Sequence, residues 1–82
     1  MENEIGEITN YFEHVGAAAI KLSKKLKLGE KIRVKGGETE FDQVVKSMQI
    51  DREDVKEGKV GDEIGILVSQ KVRKGYKVYK LK

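Results

Sequence analysis

The chain contains no cysteine and no proline. Without thiols there is no disulfide framework and no thiolate metal site, and the one histidine, His14, is a poor start for a histidine-ligated metal. The expectation is an intracellular, cytoplasmic protein without a metal or cofactor. Long apolar runs are missing as well. Nothing approaches the roughly 20 residues that span a bilayer, and the acidic start MENEIGE is opposite in charge to a signal peptide. No GxxxxGK motif followed by Ser or Thr is present, so nothing in the chain can cradle a nucleotide's phosphates. Nor is there a nucleophile beside a base, so the reading is a non-enzyme.

Charge is abundant instead. Charged residues make up 38% of the 82, mostly Lys and Glu, with few Asn and Gln. That balance is seen in proteins of heat-loving organisms, although the missing proline runs against it. The net charge of +3 is small but unevenly placed: the first twenty residues hold four Glu and no Lys or Arg, and residues 71–82 hold six basic residues and no acid. A chain of this length buries only roughly 60 to 65% of the surface its unfolded form exposes. There is room for one domain, 1–82, with one core and one surface site.

Periodicity then reads as strand almost throughout. In EGKVGDEIGILV (57–68), Gly58 and Gly61 supply the positive φ of a tight turn. Ile64, Ile66 and Val68 follow on one face at period two, with Gly65 and Leu67 on the other. A glycine in mid-strand suggests that another backbone or a barrel corner comes close at Gly65. Residues 4–12 form a first strand with Ile8, Asn10 and Phe12 on one face and Ile5 out of phase, so a bulge is expected near Gly6. KIRVK (31–35) alternates cleanly with Ile32 and Val34 inward. Gly36 and Gly37 then provide the positive φ values of a two-residue hairpin, and residues 38–50 return antiparallel with a bend between Phe41/Val45 and Met48/Ile50. DREDVKEG (51–58) reads as a polar loop with a helical turn started by Asp51, and SQKVRKGY (69–76) as the last loop. KVYKLK closes the chain with Tyr79 and Leu81 on the core face and Lys80 and Lys82 outside. Residues 17–28 stay open on these grounds: AAAIKL can place Ala18, Ile20 and Leu22 inward as a strand, or AAAIKLSKKLKL can form a helix striped by Ala19, Leu22 and Leu26.

Three segments together resemble the second domain of translational GTPases of the elongation factor Tu type: IGEITNYFEHVGAAAIKL, LKLGEKIRVKG and MQIDREDVKEGKVGDEIGILV. Leu26-x-x-Gly29-Glu30 and Gly58-x-x-Gly61-Asp62-x-x-Gly65 each precede a strand in that pattern. Through NYFEHVGAAAIKL and the MQI segment the chain is at least as similar to the barrel that closes collagenase-like peptidases. Both resemblances imply an all-β fold, a small closed six- or seven-stranded antiparallel Greek-key barrel of the translation-protein type, and they favour strand for 17–22. Neither brings catalytic residues with it.

Two functional readings follow. By resemblance to the factors, the barrel is a translation-related module that binds structured RNA, rRNA or tRNA, or the ribosome. Basic loops would carry it: Lys71, Arg73, Lys74 and Lys77, joined by Lys24, Lys25 and Lys27, with Tyr76 and Tyr79 as stacking faces. The alternative is a protein-binding accessory barrel that works in trans with a larger, separately encoded enzyme such as a collagenase-like peptidase. Its contact loop would hold Arg52, Lys56 and Lys59 among Glu53, Asp54 and Glu57, mixed signs that suit a protein partner. The bland counterpart of both is a solvated, salt-bridged surface. Asp62 and Glu63 read as turn-capping groups and not as an acid/base pair.

Overall fold

Alternation of branched apolar with polar residues produces strands and no helix in the computed structural model, which describes residues 3–81. In chain order these are β1 (Asn3–Phe12), β2 (Ala17–Leu22), β3 (Leu26–Lys27), β4 (Lys31–Gly36), β5 (Thr39–Val44), β6 (Gln49–Ile50), β7 (Glu53–Asp54), β8 (Glu57–Gly58), β9 (Glu63–Leu67) and β10 (Lys77–Lys80). Eight of them make one antiparallel sheet in the order β5-β4-β10-β1-β2-β9-β6-β7, and β3 pairs with β8 apart from it. The open choice at 17–28 goes against the helix: 17–22 is β2 and 26–27 is β3, with a bend between them. AAAIKL has good helix formers, but as a strand it buries Ala18, Ile20 and Leu22 between two partners, which outweighs a weak local propensity. No helix among the described residues is long and apolar enough to cross a membrane.

The core lies on one side of this curved sheet. Ile8, Ile20 and Ile64 sit in register across β1, β2 and β9, all essentially without exposed surface. Ile32, Val34 and Val78 form the corresponding row on β4 and β10. Val72 comes in from the last loop and is buried with them.

The expected closed barrel is met only in part, because the hydrogen-bonded ladder does not close among the described residues: β5 ends it on one side and β7 on the other. A side chain ties β5 to the end of β9. Gln43 on β5 donates from Nε2 to the Leu67 carbonyl at 2.7 Å and accepts the Ser69 amide at Oε1 at 2.9 Å, so its amide group does what a backbone amide would do in a ladder. Replacing Gln43 by Ala is therefore expected to cost about 1–2 kcal/mol and to speed hydrogen exchange at the Ser69 amide. Urea unfolding with exchange measured by NMR checks both.

Several local expectations change for identifiable reasons. The hairpin between β4 and β5 turns at Gly37 and Glu38, and only Gly37 has positive φ, at 53°. Gly36 is still in the strand, where a Cβ would stand 2.0 Å from the Tyr76 ring. Gly58 likewise has no positive φ; a Cβ there would meet Leu22 and Ile64 within 2.8 Å, so its value lies in size. Residues 51–52 make no helical turn. They form a two-residue turn between β6 and β7 with φ of 52° at Asp51 and 67° at Arg52, a conformation suited to Asn-Gly that costs an L residue roughly 1–2 kcal/mol.

β1 carries two register shifts, one between Glu4 and Gly6 against β10 and one between Ile8 and Asn10 against β2. The first matches the bulge expected near Gly6. The second was not expected, and it turns Phe12 outward while Ile8 stays in. On β10 it is Val78 that faces the core. Tyr79 stands outside it with the Lys35 ammonium 5.5 Å from its ring centre. Lys82, assigned by phase to the side of Lys80, lies outside the described residues.

Candidate functional site

On the side of the sheet away from the core, the outward positions of β2 are Ala17, Ala19 and Lys21, and those of β9 are Glu63, Gly65 and Leu67. Register sets Ala17 against Leu67, Ala19 against Gly65 and Lys21 against Glu63. Four neighbouring strands thus meet over a floor with almost no side chains, since Gly65 also pairs with Gln49 of β6 and Ala17 with Phe12 of β1. The walls are apolar. Phe12, Val15 and Leu67 are 48%, 65% and 57% exposed and stand around one groove, so they form a patch and not scattered exposed side chains. Together with His14, Asp51, Arg52 and Glu63 they enclose a groove of about 860 Å³.

Gly65 is the centre of this groove, and no backbone crowds it. A Cβ built there would meet only the Gln49 carbonyl oxygen, at 4.0 Å. The close approach expected from a glycine in mid-strand is thus absent, and what Gly65 provides is depth. At one side of the floor the Thr9 hydroxyl donates to Glu63 Oε2 at 2.7 Å. Asp62 caps the preceding turn, its Oδ2 accepting the Lys59 amide at 2.9 Å.

The basic residues singled out in the sequence are not gathered into one stripe. Lys71 meets Glu13 at 3.3 Å beside the β1–β2 turn, Lys77 meets Glu7 at 2.6 Å along β1, and Lys25 meets Glu57 at 2.9 Å on the β3–β8 pair. Arg73 and Lys74 are exposed in the loop whose Gly75 amide donates to the Ile8 carbonyl. Lys24 and Lys27 are also exposed, and the Lys27 amide is held by the Glu30 carboxylate at 2.7 Å. Of Arg52, Lys56 and Lys59, only Arg52 lines the groove; Lys56 and Lys59 follow on the way into and out of β8. Tyr76 is packed on the core edge.

These pairs set the pH response. A hydrogen bond from Lys25 holds the Glu57 carboxyl below the ordinary Glu value of 4.5, and the two-pronged Arg33 contact at 2.6 and 3.0 Å holds Asp42 below 3.8. At Glu30 burial pushes the carboxyl up, but the Lys80 hydrogen bond and the Lys27 amide outweigh it and the net movement is down. Each depressed carboxyl stabilises the fold above its unfolded value and loses that contribution as pH falls through its lower folded value. The melting temperature is therefore expected to be flat from neutral pH to about 5 and to decline below about 4, which thermal melts across that range will show. Glu7 raises Lys77 above 10.5, a contribution present below that value and lost as pH rises through the folded one.

The groove escaped sequence reading for a specific reason. Phe12 reads as inward until the bulge after Ile8 reverses it, and Val15 belongs to a turn. The usable signal was the outward half of β2 and β9, where Ala, Ala and Gly stand in place of the charges of a solvated face.

No protein-family model matches the chain. It is 41% identical over 80 residues, 96% of its length, to an uncharacterised protease of Methanocaldococcus jannaschii, and it spans about a fifth of that relative's length. Among solved structures, the C-terminal domain of a U32 peptidase from Geobacillus thermoleovorans superposes with a TM-score of 0.91 at 14% identity, covering 98% of this chain and 93% of that one. Its selenomethionine form gives 0.91 at 15% identity, with 95% and 99% covered. The likeness to the barrel of collagenase-like peptidases thus has support that the elongation-factor likeness does not gain, and the fold is that of a U32 peptidase C-terminal domain.

Proposed function

We propose that residues 1–82 work as one non-enzymatic module, an accessory β-domain of a collagenase-like peptidase system that acts by binding protein. The observation that carries this reading is the 41% identity across nearly the whole chain to part of a protease, together with the fold shared with a peptidase C-terminal domain. An exposed apolar groove on a hydrogen-bonded sheet suits contact with a protein surface. Basic side chains that are scattered and partly neutralised by carboxylates suit RNA less well.

The test is complementation in trans. The M. jannaschii protease is prepared without its matching stretch, its folding verified by circular dichroism, and mixed with this chain. A 1:1 complex on size-exclusion chromatography is the expected result. Two separate peaks from folded components would overturn the reading, and salt-sensitive capture of ribosomes or total RNA by the chain would replace it with the translational one.

A further inference from the structure

We draw no further inference here: the strongest candidate, the apolar groove over Gly65 walled by Phe12, Val15 and Leu67, is lined by charges of both signs, Asp51 and Glu63 with Arg52, and nothing in the structure shows what covers it.

Discussion

Gly6→Ala is expected to lower the melting temperature by roughly 5–20 °C, while Gly65→Ala leaves it unchanged or slightly raised. Both glycines sit in strands, and neither has positive φ. The difference lies in what a methyl group would meet. At Gly6 a Cβ would stand 2.7 Å from the Lys21 carbonyl oxygen and 2.8 Å from the Ile20 Cγ2. The carbonyl belongs to the backbone of the neighbouring strand, so relief requires β1 and β2 to separate where Gly6 pairs with Leu22. Overpacking of that kind costs about 1–3 kcal/mol. At Gly65 the nearest atom is 4.0 Å away, and alanine restricts the unfolded chain without strain in the folded one. Thermal melts of the two variants side by side check the contrast. A Gly6→Ala protein as stable as the parent would mean that β1 and β2 are further apart than described.

The second large effect is expected at Ile20. It is fully buried between Ile8 and Ile64, the middle of the row that joins the three central strands. Ile20→Ala removes its outer carbons and leaves a cavity that two paired strands cannot collapse to fill, a loss of about 2–5 kcal/mol. A domain of this size has only about 4–12 kcal/mol in all. The variant should therefore sit near the edge of folding, with a urea midpoint reduced by a third or more and broad near-UV changes at ordinary temperature. Val15→Ala, on the groove wall and mostly exposed, is the matched control and should stay within about 0.5 kcal/mol of the parent.

The same residues explain why part of the molecule was legible in the sequence and part was not. Ile32 and Val34, and Ile64 and Ile66, alternate without interruption, and both strands lie where their pattern put them, whereas AAAIKL fits a helix as well and is fixed as β2 by its partners β1 and β9. A side-chain period of two is a local property, so a local reading recovers it. Gly29, Gly61 and Gly75 likewise mark turns with positive φ, because that requirement is met within the residue itself. Gly36 and Gly58 were misread as turn glycines for the opposite reason: what they need is space beside Tyr76, Leu22 and Ile64, residues distant in the chain.

The strand character of most of the chain, the inward rows and the exclusion of thiolate or phosphate-loop chemistry were thus set by the sequence alone. Tertiary structure decided the rest. One extra residue in β1 turned Phe12 from core to surface, a consequence of pairing with β2 that no pattern within β1 announces. Pairing of β2 with β9 brought Ala17, Ala19 and Gly65 together into a floor, and the β6–β7 turn placed Arg52 above it. A groove is a property of what several strands leave empty, and that emptiness exists only once the strands have been set side by side.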